Sequence, residues 1–400
     1  MRIIARRPRP PEPRGSVILQ PISAGVVAAI TGFATSFALV IAGLRAVGAS
    51  DAQASSGLLA LCLVVGITSI VLTWFLRIPL SFAWSTPGAA LLLAAGTGSA
   101  SFASAVGAFL VCAVLIVLCG LWSPLARAIT RIPKPLASAM LAGILFPICL
   151  APIQASVELP LLGLPIVVTW LVLYRFAQRW AVPGAMAVAA VAIGLTAGTD
   201  WLDAATLAPS LTFVTPEFDP AVVLSLGIPL FIVTMAGQNV PGVIVMSTFG
   251  YTVPTRAALM GSGAASGLGA LFGGHVINLA AITAALMASP EAHPDRNKRW
   301  IASFTAGIVY LVLGLGAGVA TALVAASPPI IITAVAGLAV LGALVASLTG
   351  ALEDPDSRLP AIATFLVVAS GIVVLGVGSA FWGLLVGAVV LITLRRRVSV

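Results

Sequence analysis

Ile78-Pro79-Leu80-Ser81-Phe82-Ala83-Trp84-Ser85-Thr86-Pro87-Gly88 lies within an apolar run, yet it does not read as one continuous helix. Proline suits the first turn of a helix, where its missing N–H is no loss, and Ser or Thr just ahead of it makes a good N-cap. The stretch therefore predicts an extended segment followed by a half-length helix that starts near Pro87. Gly273-Gly274-His275-Val276-Ile277-Asn278-Leu279 repeats the pattern ahead of a short helix through Ala288, with Asn278 as its expected cap. A helix that begins at mid-membrane turns free N–H groups and the positive end of its dipole toward the protein interior. Two such ends facing each other form an anion site without any basic side chain. The plainer alternative is a pair of kinked helices.

The composition around these breaks explains why mid-membrane is the right setting. Of the 400 residues, 60% are hydrophobic and 8% are charged, against about 25% charged in a soluble domain. So few charges cannot cover a water-facing surface, whereas a lipid-facing one needs none, so membrane lipid is the first partner implied. Apolar runs between charged or Pro/Gly-rich breaks predict about fourteen crossings. The first seven are 24–46, 56–76, 80–97, 102–122, 136–150, 158–178 and 183–198. After a polar loop come 221–248, 255–273, 277–289, 300–324, 329–350, 360–375 and 379–394. The short third and tenth crossings are the two broken ones.

A net charge of +8 would suggest nucleic acid in a soluble chain. Here the basic residues report topology, and no nucleic acid is implied. With the N-terminus inside, the basic arm (Arg2, Arg6, Arg7, Arg9, Arg14), Arg77, Arg127, Arg131, Lys134, Arg175, Arg179 and Arg256 all fall inside. So do Arg296, Lys298, Arg299, Arg358 and Arg395 to Arg397, which leaves only Arg45 outside. The longest outside loop carries Asp200, Asp203, Glu217 and Asp219 and no base. One missed crossing would destroy this asymmetry, so it supports both orientation and parity. The first apolar stretch lacks a small-residue cleavage site and reads as an uncleaved crossing. Odd crossings per half predict seven-plus-seven inverted repeats, a transporter pattern. Pro135 and Ala142-Gly143 recur at the spacing of Pro329 and Ala336-Gly337, which fits weakly.

No Asp, Glu, Lys or Arg lies deep in any predicted segment, so a carboxylate relay for ions is not expected. The polar residues at depth are amides, hydroxyls and one imidazole. Gln238 and Asn239 sit midway along the eighth segment, where adjacent amides must bind each other, a ligand or freed backbone. Pro241 frees one such carbonyl; ligand binding is the reading taken. His275 is the only histidine in the apolar region and titrates naturally near physiological pH. It is either the proton-coupling group or a helix-end residue bonded to backbone. Phe33 and Phe37 share a helical face, to stack on an aromatic ligand or simply to pack. Trp84 sits beside the half-helix start, whereas most other tryptophans read as interface anchors. Cys62, Cys112, Cys119 and Cys149 lie in apolar runs without metal-type spacing and read as small buried hydrophobes. No metal cluster, nucleophile–base pair or paired carboxylates point to an enzyme, and no cofactor is implied.

Phe82-Ala83-Trp84-Ser85-Thr86-Pro87-Gly88-Ala89, Gln238-Asn239-Val240-Pro241-Gly242 and Phe272-Gly273-Gly274-His275-Val276-Ile277-Asn278-Leu279-Ala280-Ala281-Ile282-Thr283 resemble motifs of the benzoate/proton symporter (BenE) family. The resemblance extends over the whole chain in segment count and motif order. It implies benzoate import coupled to protons across the bacterial inner membrane, on an all-α fold like that of the uracil permease. In that fold a core domain (24–122 and 221–324) moves against a gate domain (123–198 and 325–394). The cytoplasmic arm 1–23, the external loop 199–220 and the cytoplasmic tail 395–400 complete the chain. The substrate site so implied contains Ser85, Thr86, Gln238, Asn239 and Asn278. Proton-coupled nucleobase carriers of that fold use carboxylates on the eighth and tenth segments, which this chain lacks; His275 is the remaining coupling candidate.

The expected mechanism places a benzoate-like carboxylate on the half-helix starts near Thr86, Gly88 and Asn278, with Gln238 and Asn239 as donors. Its ring packs among Phe33 and Trp84. Another small anion or a nucleobase on the same fold, or an uncoupled anion channel, are the alternatives, and a homodimer is left open. Alkaline phosphatase fused after Ala205 is expected to be active outside the cell, and a fluorescent protein fused after Val400 to fluoresce inside. The opposite pattern would invert the orientation.

Overall fold

The computed structural model describes residues 16–95, 101–122, 124, 125, 127, 132–197 and 208–395. The basic arm through residue 15, Arg131, Asp200 and Asp203 of the acidic loop, and the tail after 395 lie outside the described residues. The described residues form apolar helices with four short strands inserted among them. The first half contains α1 (Ser16–Ala46), α2 (Asp51–Leu76), β1 (Phe82–Trp84), α3 (Thr86–Ala95) and α4 (Phe102–Leu121). It continues with α5 (Lys134–Glu158), α6 (Pro160–Phe176) and α7 (Ala181–Ala197). The second half contains α8 (Pro220–Thr248), α9 (Thr255–Ala270), β2 (Ile277–Leu279) and α10 (Ala281–Ala288). Then come α11 (Trp300–Gly314, resumed after a bend by Ala317–Ala325), α12 (Pro329–Leu352) and α13 (Arg358–Ala369). The hairpin of β3 (Val373–Val374) and β4 (Val377–Gly378) leads into α14 (Ser379–Arg395).

Six described helices are long and apolar enough to cross a bilayer by themselves, and α11 makes a seventh if its two parts, bent by 56°, form one span. A helix rises 1.5 Å per residue against a hydrocarbon core of about 30 Å. At 17 residues each, α6, α7 and α14 fall just short. Helices α3 and α10, with 10 and 8 residues, are far shorter. Among the described residues, length alone therefore supports fewer crossings than the fourteen predicted. Side chains such as Phe75, Val157, Leu161 and Phe176 stay exposed, as lipid contact requires and water would not allow.

Three boundaries differ from the sequence reading. Helix α5 runs on through Pro147 and Pro152 to Glu158, because neighbouring helices tolerate proline in a packed membrane helix. Helix α11 is interrupted near Leu315-Gly316. The predicted segment 360–375 ends at Ala369, and the chain then turns through Leu375 (φ 53°) and Gly376 (φ 77°) between β3 and β4. Positive φ at both central residues suits the right-handed twist of a two-residue hairpin.

The helices pack in two groups. In one, α2 lies along α11 and α9, α4 along α9, and α1 along α11 and α3; in the other, α5 lies along α12 and α13, α13 along α14, and α6 along α7. Small residues let the backbones approach, the usual basis of close packing in lipid. At the α2–α11 crossing, a Cβ on Gly66 would sit 2.8 Å from the Gly307 carbonyl, and one on Gly307 would sit 2.8 Å from the Gly66 carbonyl. G307V should force the two helices apart and cost about 1–3 kcal/mol. The expected result is a lower thermal unfolding midpoint in detergent; an unchanged midpoint would contradict this crossing.

Candidate anion-binding site

The two strands pair antiparallel, with Phe82 opposite Leu279, Ala83 opposite Asn278 and Trp84 opposite Ile277. Their ends are tied as well: Ser85 N–H donates to the Val276 carbonyl (3.0 Å) and Ala280 N–H to the Ser81 carbonyl (2.9 Å). The outer edge of β2 faces no third strand, so its N–H groups need other acceptors. Ser266 Oγ on α9 accepts from Ile277 N–H, and Asn239 Oδ1 on α8 accepts from Leu279 N–H, both at 2.9 Å. The remaining Asn239 donor rests against Met235 Sδ at 3.3 Å. Asn239 is thus buried and committed to the fold.

The two half-helices begin differently. On α3, Ser85 is the cap: its Oγ accepts from Gly88 N–H (3.1 Å) and its carbonyl accepts from Ala89 N–H (2.8 Å). Thr234 Oγ1 donates to the same Ser85 Oγ at 3.0 Å. Pro87 has no N–H, so the first turn of α3 is nearly satisfied. On α10 the N-cap position is Ala280, and no side chain caps the helix. Asn278, the expected cap, lies in β2, where its Nδ2 donates to the Leu279 carbonyl and its Oδ1 has no partner. The strand continues one residue past Asn278, to Leu279, which carries the Asn278 side chain away from the helix start. The N–H groups of Ala281, Ile282 and Thr283 have no acceptor among the described residues.

A cavity of about 770 Å³ is lined by the three residues that carry these amides. Ala281, Ile282 and Thr283 line it together with Trp84, Thr86 and Gln238 on one side and Leu141, Leu145 and Val340 on the other. It therefore separates the two helix groups. Ile282 is 83% exposed, so the open turn of α10 is accessible from the cavity. The Gln238 amide has no hydrogen-bond partner among the described residues. Gln238 and Asn239 belong to a π-helical turn, Met235–Asn239, where Val240 N–H reaches back to the Met235 carbonyl. The turn absorbs the missing donor of Pro241. It also directs the adjacent amides apart, Gln238 to the cavity and Asn239 to β2.

Of the residues singled out in the sequence, Trp84, Thr86 and Gln238 line the cavity, whereas Ser85, Gly88, Asn239, Asn278, Phe33 and His275 do not. Phe33 stacks on Phe37 (5.2 Å) and abuts Trp84 edge-on (5.8 Å), so it supports the wall from behind. Gly88 leaves room for Leu230, which a Cβ there would meet at 2.6 Å. His275 is fully buried against Phe109 of α4, and neither ring nitrogen has a hydrogen-bond partner. It is thus sealed from the cavity. Trp84 Nε1 donates to Ser36 Oγ at 2.9 Å, fixing the indole.

Among the lining residues that the sequence did not single out as site residues, Tyr310 and Lys134 bear on the chemistry. Tyr310 of α11 abuts Trp84 at 5.6 Å. Lys134, the first residue of α5 and the one charged lining residue among the described residues, pairs at 2.5 Å with Glu353 just past α12. Both partners are largely exposed, so the pair adds little stability. It marks the end at which the cavity opens. A single tyrosine among the apolar residues of α11 was the only sign of the first; Lys134 read solely as topology.

Apolar helices in two packed groups, with paired half-helices at a cavity between them, make the architecture of a membrane transporter. The fold is that of the transmembrane domain of the cyanobacterial bicarbonate transporter BicA: TM-score 0.59, 17% identity, 92% of this chain and 97% of that one. It is shared by the murine anion transporter Slc26a9 in its inward-facing state (TM-score 0.57, 14% identity, 98% and 74%). In sequence the chain is 40% identical over 373 residues to "Inner membrane protein YdcO" of Escherichia coli K12, covering 93% of this chain and 95% of the relative. It is 31% identical over 367 residues to the "Benzoate membrane transport protein" of Acinetobacter baylyi, covering 91% and 92%. The chain belongs to the benzoate membrane transport protein (BenE) family, whose model matches residues 16–393. That family consists of transporters and not of enzymes.

The two neighbouring amides should separate by experiment. N239A leaves the Leu279 N–H buried without an acceptor, at a cost of roughly 1–3 kcal/mol, and should lower the unfolding midpoint without any ligand. Q238A should leave that midpoint unchanged. Equal midpoints for both variants would contradict the division of roles.

Proposed function

We propose that the protein imports benzoate, or a similar small aromatic carboxylate, together with a proton across the bacterial inner membrane. The reading rests on the juxtaposition of three uncapped amides at the start of α10 with the aromatic wall of Trp84 in one cavity. A carboxylate needs donors and a ring needs an apolar surface. The amides supply fixed partial positive charge without a basic side chain, and Gln238 and Thr86 supply further donors. The site is lopsided: α10 carries the anion, while α3, already capped by Ser85, contributes Thr86 and Trp84. An aromatic cargo is favoured over a small inorganic anion by the volume of the cavity and its apolar lining.

In this reading the fourteen predicted segments all cross, the shorter ones with help from strands and loops, as seven-plus-seven inverted repeats. The antiparallel pairing of β1 with β2 supports a two-fold relation between the halves. The group containing α1 to α4 and α8 to α11 is the core, and the group containing α5 to α7 and α12 to α14 is the gate. Both termini face the cytoplasm. Lys134 then stands at the cytoplasmic mouth, and this conformation faces inward. Outward opening requires the core to slide against the gate, since the cavity has its walls on both. A proton carried with the anion removes the net charge that would otherwise cross. His275 is the one embedded imidazole among the described residues, and its part in coupling requires that the transport cycle open a path to it.

Reconstituted into proteoliposomes, the protein should take up labelled benzoate saturably when the lumen is made alkaline, and a protonophore should abolish the accumulation. Uptake indifferent to the gradient would refute symport. Failure to take up benzoate while another anion enters would refute the cargo.

A further inference from the structure

Tyr310 is one of three tyrosines in the chain and lies midway along α11 (Trp300–Gly314). It is only 3% exposed, and what it shows faces the cavity. A buried tyrosine ordinarily finds a partner for its hydroxyl. Here the ring is held against Trp84 (5.6 Å), itself tied to Ser36, yet Oη has no hydrogen-bond partner among the described residues. The hydroxyl reaches α1 where that helix has Gly32. A Cβ on Gly32 would stand 2.7 Å from Tyr310 Oη and 3.9 Å from Thr283 Cγ2. Oη and the Thr283 side chain of the first turn of α10 thus border the same spot beside Gly32, and both residues line the cavity. Behind it a void of about 10 Å³, bordered by Ser81, Thr283 and Ser303, has room for one water.

We propose that Tyr310 is a specificity-determining residue whose hydroxyl donates to the substrate carboxylate held by the α10 amides; this rests on the reading given under Proposed function. A carboxylate has two oxygens and about four acceptor sites. The Ala281 to Thr283 amides satisfy part of them, and a neutral O–H adjacent to that turn completes the set. Hydrogen bonds to an ionised acceptor are short and strong. A phenol offers one without a permanent positive charge, so the empty site carries no unpaired cation through the return half of the cycle. The ring edge meanwhile extends the aromatic wall begun by Trp84. A merely structural tyrosine would have a protein partner for its hydroxyl, and Gly32 would have no reason to leave space there.

The test is benzoate binding to the purified full-length chain in detergent, alongside its unfolding midpoint without ligand. Y310F removes one oxygen that no protein group uses, so its midpoint should match the parent while its Kd for benzoate rises about tenfold or more. G32A, which displaces the hydroxyl but keeps it, should raise Kd in the same direction. An unchanged Kd in Y310F overturns the assignment. A Y310F chain that melts well below the parent overturns it too, since the hydroxyl would then have a structural partner. Absence of benzoate binding to the parent overturns the cargo reading itself, and the Tyr310 assignment with it.

Discussion

A strand inside a membrane protein must satisfy its backbone without water, and this requirement organises the structure around β1 and β2. Non-helical backbone at that depth survives only where protein groups accept and donate for it. Each strand satisfies the other across their shared edge, Ser266 and Asn239 close the outer edge of β2, and Ser85 and Ala280 tie the ends. The hydroxyl and amide side chains of α8 and α9 are therefore fixed by the strands before any ligand is considered. What is left over after these bonds are made is the open turn of α10. In the function proposed above, the anion site is the remainder of a structural problem that is otherwise solved.

The asymmetry between α3 and α10 follows from one residue in each half. Serine at position 85 folds back on its own helix; alanine at position 280 cannot. The three free amides, Gln238 and Thr86 then surround a space with no fixed charge until Lys134 at the mouth. Neutral donors bind a carboxylate less tightly than guanidinium would, and they also release it. For a carrier that must empty on each cycle, moderate affinity from preorganised dipoles serves better than an ion pair, whose removal would leave a charge stranded in the apolar interior.

Much of this was legible in the sequence because it depends on backbone rules. Pro87 after Ser85-Thr86 announces a helix start in any protein, and α3 begins at Thr86; α10 begins at Ala281, two residues later than a cap at Asn278 would place it. The functions of individual side chains were less legible. Asn278 looked like a cap from its residue type, but strand pairing extends past it, and a two-residue periodicity directs its side chain elsewhere. Gln238 and Asn239 are chemically alike and adjacent, and only the π-helical turn separates their roles. Whether Pro241 would bend, break or widen the helix is decided by packing against β2, which no local pattern encodes. Tyr310 carried no motif at all. Its significance lies in an empty space on another helix, at Gly32, far away in sequence.

The central claim is that the uncapped first turn of α10 holds the carboxylate. Locating bound 4-bromobenzoate in an experimental structure, by its carboxylate density and the anomalous signal of bromine, tests it most directly. The account predicts the carboxylate on the amides of Ala281 to Thr283 and the bromine on the Trp84 side of the cavity. A carboxylate at the α3 start instead, or paired with Lys134 at the mouth and no ligand deeper, would contradict it.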